Sequence, residues 1–383
     1  MKDFTFVVPQ EIIFGEGSIS RLGDLIKKSG CSRPFLISGK VLTKMGVAGR
    51  VMELLEKAGY GAELFNDVEA NPSTVTVEKA VQAFKESGGD CIIALGGGSP
   101  MDVAKAVGVV AVYGGAIEDY EGGGKVPGKI TPVIAIPTTA GTGSEVTAFT
   151  VITDHARNYK LTVFSYELIP QYALLDPELM MSLPESVAAA TGIDALVHAI
   201  EAYLSKAASP FSDSMAEKAM ELIGGSLRLF VSDRKNKEAA SAMLTGSMFA
   251  GLAFSWARLG NVHAMAHPLG GYFDVPHGVA NAILLPIVMA YNAPAENGRY
   301  KKIYQYLTPD KKTEENFTPD FLVNELRDLT NSLGIPKNLT EVGVREDKIP
   351  AMAADAMKSG NILVNPRETT IEDIKALYLA AMN

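Results

Sequence analysis

Apolar residues recur along this chain in two rhythms. In the first half they come as short unbroken runs rich in β-branched residues: "RPFLISG" (33–39), "DCIIALGGGSP" (90–100), "TPVIAIPTT" (131–139) and "YALLD" (172–176). Runs without polar alternation predict strands of a parallel sheet with helices over both faces. Between them, "VAGRVMELLEKAG" and "MDVAKAVGVVAVYG" carry apolar residues at helical spacing. Strand alternating with helix predicts a doubly wound α/β domain.

After "DPELMMSLPES" only the helical rhythm continues, in "VAAATGIDALVHAIEAYLS", "DSMAEKAMELIGGSLRLF", "AASAMLTGSMFAGLAFSWARLG" and "VANAILLPIVMAYNA". Ser182, Pro184 and Glu185 read as an N-cap, a first-turn proline and a capping-box glutamate. This predicts an α/β domain over residues 1–182 and an all-α domain over 183–383. The last helix carries its own cap in "TTIEDIKALYLAAM"; "TPDKKTEENFTPD" (308–320) reads as a solvated loop and "DRKNKE" (233–238) as a helix connection.

Composition removes several function classes. With 47% apolar and 21% charged residues the chain is an ordinary globular one. Its 44 acidic residues outweigh 35 basic ones, which argues against a sequence-independent grip on nucleic acid. "MKDFTFVVPQ" lacks a signal pattern, and no run reaches the roughly 18 unbroken apolar residues of a membrane helix. The expectation is a cytoplasmic protein with no membrane partner. Two cysteines build no disulfide framework, and Cys91 in its apolar run reads as a buried thiol.

Two loops look made for a nucleotide. In "CIIALGGGSPMDVAKAV", Gly96, Gly97 and Gly98 leave the backbone open to a diphosphate. Ser99 is placed to act as N-cap and Pro100 to take the first helical position, so the helix N-terminus offers donors to an anion. The pattern is neither G-x-G-x-x-G nor a P-loop. "IPTTAGTGSEVTAF" adds Thr138, Thr139, Thr142, Ser144 and Thr147 after another strand. Two such loops on adjacent strands point to one shared ligand, a dinucleotide.

The five histidines are concentrated. Asp194 and His198 lie four apart on a predicted helix, hence on one face, and His263 and His267 repeat the spacing. His277 opens a further helix. An aspartate and imidazoles without thiolate suit Fe(II), Zn(II), Mn(II) or Co(II). Five candidates compete for a four-ligand site, and spacing does not choose among them. His155 in "ITDHARN" reads as a turn residue.

"GGGSPMD", "PTTAGTGSEVT", "TGIDALVHAIEAY" and the histidine-rich segment ending in "PHGVANA" resemble the iron-dependent (group III) alcohol dehydrogenases. The resemblance runs from "FGEGS" (14–18) to "NPRE" (365–368). It implies a dinucleotide-binding domain, a helical domain, and an active site in the cleft. It further implies Asp194, His198, His263 and His277 as metal ligands, with His267 beside nicotinamide and substrate. The implied cofactor contacts are Asn71, Gly97, Gly98, Ser99, Asp102, Thr138, Thr139, Thr147, Phe149, Lys160 and Leu179. Where many NAD-preferring members carry an aspartate, this chain has Gly39 followed by Lys40. Losing a carboxylate removes repulsion toward a 2′-phosphate, so NADP(H) is expected to be accepted alongside or ahead of NAD(H).

The expected activity is reversible hydride transfer between NAD(P)(H) and a small primary alcohol, diol or aldehyde, supported by Fe(II) or alternatively Zn(II). Phe149, Phe254 and Trp256 are expected to wall the substrate pocket with His267. Glycerol-dehydrogenase-like polyol oxidation, metal-dependent hydrolysis and non-catalytic dinucleotide binding are the rival readings. The resemblance also implies a homo-oligomer, a dimer or larger.

Overall fold

The unbroken apolar runs become strands buried on both sides. In this computed structural model, which describes residues 7–8, 10–157, 159–311 and 316–383, the first strands are β1 (Glu11–Phe14), β2 (Pro34–Gly39), β3 (Glu63–Val68) and β4 (Cys91–Gly96). They are followed by β5 (Gly122–Gly123), β6 (Val133–Pro137), β7 (Phe149–Asp154), β8 (Tyr159–Phe164) and β9 (Tyr172–Leu175). Six pair in parallel in the order β1-β9-β6-β4-β2-β3.

Alternation along each strand splits the core in two. Phe35, Ile37, Ile92, Ala94, Val133 and Ala135 face α4 (Thr74–Ser87) and α5 (Gly98–Tyr113). Leu36, Ile93, Leu95, Ile134, Ile136 and Leu174 face α1 (Leu22–Ser29) and α3 (Val47–Lys57); the short α2 (Lys40–Lys44) lies between β2 and α3 in the chain. Each such buried Leu or Ile contributes about 1.5–3 kcal/mol, and the doubling of faces is why the runs show no polar gaps.

The strand order also locates a ligand crevice. From β2 the chain steps outward to β3, then returns to the opposite side of β2 with β4. At such a reversal the connections leave the carboxyl ends in opposite directions and open a crevice. The residues flanking it here are Gly39, which ends β2, and Gly96 to Ser99, which follow β4.

Several elements were not legible in sequence. β1 and β3 were unassigned, and β7 and β8 form an antiparallel hairpin that pairs Phe149 with Phe164 and Asp154 with Tyr159, with β5 alongside β8. The stretch between the hydroxyl-rich loop and His155 was unassigned, and the strand is apparent only from its partner. Two caps are corrected. α5 begins at Gly98 after Gly97, so Ser99 is not the N-cap and Pro100 is the third helical residue. A proline is accommodated there because first-turn N–H groups have no helical partner.

The helices after residue 182 are α6 (Glu185–Leu204), α7 (Pro210–Ser232), α8 (Lys237–Ala257), α9 (Asn261–Phe273) and α10 (His277–Asn292). They continue as α11 (Arg299–Leu307), α12 (Pro319–Ser332), α13 (Ile349–Ala356) and α14 (Ile371–Ala381). Pro184, not Ser182, occupies the N-cap position of α6 and makes no side-chain cap bond. Its carbonyl instead receives Val187 and Ala188 N–H, leaving Ser182 outside the helix start. The α14 cap is as expected, Thr370 and Asp373 bonding reciprocally. His155 lies in a turn, and Cys91 is buried. Of the loop at 308–320, residues 312–315 lie outside the described residues, and Pro309, Asp310, Lys311 and Asn316 are exposed.

The chain divides into two compact units, Val7–Thr139 with Ser144–Met181, and Ser182–Asn383 with Ala140–Gly143. Within the second, α6 is long and apolar enough to cross a membrane, yet 89% of that window is buried inside the protein.

Candidate active site

The donor set arises from three helices of the second unit. Asp194 and His198 share one face of α6, His263 lies in the first turn of α9, and His277 opens α10. One donor atom from each comes within 4.8 Å of all the others. His263 Nε2 is 3.6 Å and His277 Nε2 3.7 Å from Asp194 Oδ1. Ligands about 2.1 Å from a tetrahedral centre stand about 3.4 Å apart, so the spacing fits one divalent ion. Asp194, His198 and His263 are buried and His277 is half-buried.

The electrostatics suit the same occupant. Burial pushes His198 down to about 4, with a neighbouring imidazole adding to the effect, so it stays a neutral donor. Burial opposes the charge of Asp194, but His198, His277 and His263 around it hold its carboxyl well below the usual range. Burial likewise opposes a proton on His263, yet Asp194 and Glu201 on either side raise its pKa. At neutral pH Asp194 is therefore an anion and His198 a neutral donor.

His267 stands apart from the four donors. Its ring stacks over His277 at 5.5 Å between centroids and is 6.5 Å from that of His263. The three histidines within nineteen residues thus separate into two donors and one neighbour. Phe254 on α8 stacks on the His198 ring at 4.5 Å. Trp256 lies two residues further along α8, half-buried, and leaves the helix about 200° round from Phe254.

Two residues of this site were missed. Asn281 Nδ2 is 2.6 Å from Asp194 Oδ1, 3.1 Å from His263 Nε2 and 3.2 Å from His277 Nε2. Glu201 bonds the other nitrogen of His263. Both were discoverable by helical spacing, since Asn281 is four residues after His277 and Glu201 seven after Asp194.

The nucleotide loops belong to the first unit except for Ala140–Gly143, which fall in the second. Gly97 lies against Thr139, whose Oγ1 is 3.0 Å from where a Cβ would stand. Thr138 is buried, its N–H bonded to Gly96 O, and Gly98 and Ser99 present the first-turn donors of α5. Asn71, in left-handed conformation at φ 55°, accepts from Lys160 Nζ at 2.7 Å. Asp102 has protein partners on both oxygens, Ser144 Oγ and Val151 N. Leu179 is in the core under β9, and Phe149 starts β7 with its ring 4.9 Å from that of Phe164.

Lys105 on α5 organises these loops and was also missed. Fully buried, it donates from Nζ to Ser144 Oγ, Thr147 O, Thr147 Oγ1 and Phe149 O at 2.8–3.1 Å. Burial lowers its pKa to about 8 despite nearby Asp102 and Glu145. A single lysine among "DVAKAVGVV" was the available signal. Lys105→Met keeps the length of the side chain but frees four acceptors and leaves buried acids without their cation, a loss of about 3 kcal/mol or more. NADPH dissociation followed by nicotinamide fluorescence is expected to weaken severalfold while metal content per chain stays unchanged. Unaltered NADPH affinity would remove Lys105 from this role.

Lys40 carries a different surprise. Its Nζ pairs with Asp67 Oδ1 on β3, both side chains being exposed. The cation expected to favour a 2′-phosphate already has an acid beside it.

The profile of the iron-containing alcohol dehydrogenases matches residues 9–177, and that of the C-terminal part of the Fe-containing alcohol dehydrogenase family matches residues 188–382. The lactaldehyde reductase of Escherichia coli K12 is 39% identical over 373 residues, covering 96% of this chain and 97% of the relative. The 1,3-propanediol dehydrogenase of Citrobacter freundii is 37% identical over 383 residues, covering 99% and 98%. A solved 1,3-propanediol oxidoreductase superposes with a TM-score of 0.95 at 36% identity, covering all of both chains. With its doubly wound unit and histidine-rich helical unit, the chain belongs to the iron-containing alcohol dehydrogenase family. It is an oxidoreductase of the alcohol dehydrogenase and aldehyde reductase class, which sets aside the hydrolase and the non-catalytic reading.

Proposed function

We propose that the chain interconverts a short primary alcohol or diol and its aldehyde by hydride exchange with NADP(H) or NAD(H), using one Fe(II) held by Asp194, His198, His263 and His277. The observation that carries this reading is the convergence of those four donors in a chain of this family. A divalent ion held there lowers the pKa of a hydroxyl group beside it and polarises a carbonyl as a Lewis acid.

The residues do the rest. Neutral imidazoles and one carboxylate leave residual positive charge where the substrate oxygen sits, while Phe254 against His198 excludes water from that side. His267, outside the donor set, takes the hydroxyl proton onto a ring nitrogen during oxidation and returns it during reduction. His267→Ala is therefore expected to lower kcat by roughly a hundredfold and leave iron per chain unchanged. The assay is anaerobic: stripped protein reloaded with Fe(II), propanal, and the absorbance of NADPH and NADH followed in parallel. Loss of iron from the variant would place His267 among the ligands instead. Absence of Fe(II)-dependent oxidation of either cofactor by the wild type would overturn the reading.

Cofactor choice rests on the end of β2. Gly39 offers no carboxylate, and the adjacent Lys40 is matched by Asp67, so acceptance of NADP(H) follows from absent repulsion more than from a free cation. Asp67→Asn releases Lys40 and is expected to raise the NADPH/NADH ratio of kcat/KM roughly two- to fivefold, an effect fading with salt. Gly39→Asp should lower the ratio at least about tenfold. Its Cβ would stand 3.3 Å from Val68 O, tight but open to a small adjustment. No change in the ratio for either variant would place ribose recognition elsewhere. A homo-oligomeric state belongs to the same reading and is checked by light scattering.

A further inference from the structure

The helix carrying His263 and His267 starts without a cap of its own. Gly260 precedes it and has no side chain to bond the first-turn N–H groups. Those groups are satisfied from far away in the chain. Asn261 N–H donates to Asn365 Oδ1 at 3.2 Å and Val262 N–H to Glu201 Oε1 at 2.7 Å, while His263 N–H points to Glu201 Oε2 at 3.4 Å. A Cβ on Gly260 would stand 2.9 Å from Glu201 Oε1 and 3.0 Å from Asn365 Oδ1. Any side chain there would therefore crowd both caps. An anion at a helix N-terminus is also favoured by the dipole.

Glu201 has a second bond. Its Oε2 lies 2.6 Å from His263 Nδ1, and the carboxylate is buried, 3% exposed. A carboxylate can only accept, so the ring must carry a proton on Nδ1. The opposite nitrogen, Nε2, faces Asp194 Oδ1 and the Asn281 amide. With the proton held on Nδ1 by Glu201, Nε2 carries the lone pair.

We propose that Glu201 is a positioning residue for the metal. It holds the His263 proton on Nδ1, keeps Nε2 as the donor turned toward Asp194 and His277, and ties the start of α9 to the helix bearing Asp194 and His198. The inference rests on the metal reading of the four donors. Glutamine cannot replace it in this geometry: Val262 N–H and His263 Nδ1–H are bonded by different carboxylate oxygens, and a glutamine offers an acceptor in only one of those two places. Either the helix start loses its cap or the ring turns to the tautomer whose Nε2 is protonated.

The experiment uses full-length protein stripped of metal and titrated with Co(II) alone against a chromogenic chelator. E201Q is expected to bind Co(II) about 10- to 100-fold more weakly than wild type, with an altered visible d–d spectrum. E201D, which restores a carboxylate one methylene shorter, is expected to recover part of both. A residue that merely supports the fold would lower thermal stability without moving the spectrum. Wild-type affinity and spectrum in E201Q overturn the inference. H263A separates this from failure of the underlying reading: if it binds Co(II) as wild type does, the four donors are not the metal site. If E201Q does not fold, ring ¹⁵N shifts of Zn(II)-loaded wild type decide, since five histidines give a sparse spectrum. A proton on His263 Nδ1 supports the role of Glu201, and one on Nε2 overturns it.

Discussion

Asp194→Ala is expected to empty the metal site and abolish turnover. Purified from the same host, the variant should carry less than about a tenth of the wild-type iron, and kcat/KM with a short aldehyde should fall roughly a thousandfold or more. Asp194 is the only anion among the four donors. Unit charges 4 Å apart are worth about 4 kcal/mol at an effective dielectric of 20, so the carboxylate outweighs any single imidazole in holding a dication. Its oxygen also faces His263 and His277 at 3.6 and 3.7 Å and accepts from Asn281 at 2.6 Å. Removing it leaves neighbouring imidazoles to repel one another whenever they are protonated. Alanine suits an α-helix interior, so α6 should persist and circular dichroism of the stripped proteins should coincide. Metal analysis and the anaerobic assay then check the claim together. Retention of one iron per chain would mean that the ion is held elsewhere.

Gly278→Ala tests the packing that brings the donors together. A Cβ there would stand 2.3 Å from Ala190 O and 2.7 Å from its carbonyl carbon, on α6. The obstacle is backbone, which cannot rotate away, so α10 must move. Overpacking typically costs 1–3 kcal/mol, and a clash with main chain belongs at about the top of that range or above. Gly278 directly follows His277, so the displacement acts on a donor atom. The variant is expected to lose several degrees in thermal midpoint even when stripped, and to bind Co(II) at least about tenfold more weakly. The loss in affinity comes with every proposed ligand still present. A variant with wild-type affinity would show that the site tolerates helix displacement and that its geometry is not set by this contact.

How far the sequence reached can be read from particular elements. Parallel strands buried on both faces appear as unbroken apolar runs, so β2, β4, β6 and β9 were legible, whereas the edge strands β1 and β3 and the threonine-rich β7 were not. A helix displays its own face by spacing, so Asp194 with His198 was visible as a pair. Glu201 and Asn281 share those faces and went unread, because a carboxylate or amide at helical spacing has no special meaning until its partner is known.

The sequence by itself determined the central buried strands and the main helices, the gathering of glycine and hydroxyl residues after β4 and β6, and a supply of five candidate ligands. These follow from local rules, since periodicity and side-chain chemistry act within a few residues. Only the tertiary structure shows which four of the five converge. His263 and His267 are equivalent in spacing, but α9 meets α6 and α10 so that His263 joins Asp194, His198 and His277 while His267 stacks alongside. It likewise showed that Lys40 is matched by Asp67, that Lys105 ties α5 to Ser144, Thr147 and Phe149, and that α9 is capped by Glu201 and Asn365, 61 and 104 residues from their partners. Such bonds depend on which helices pack together, and no local pattern encodes that.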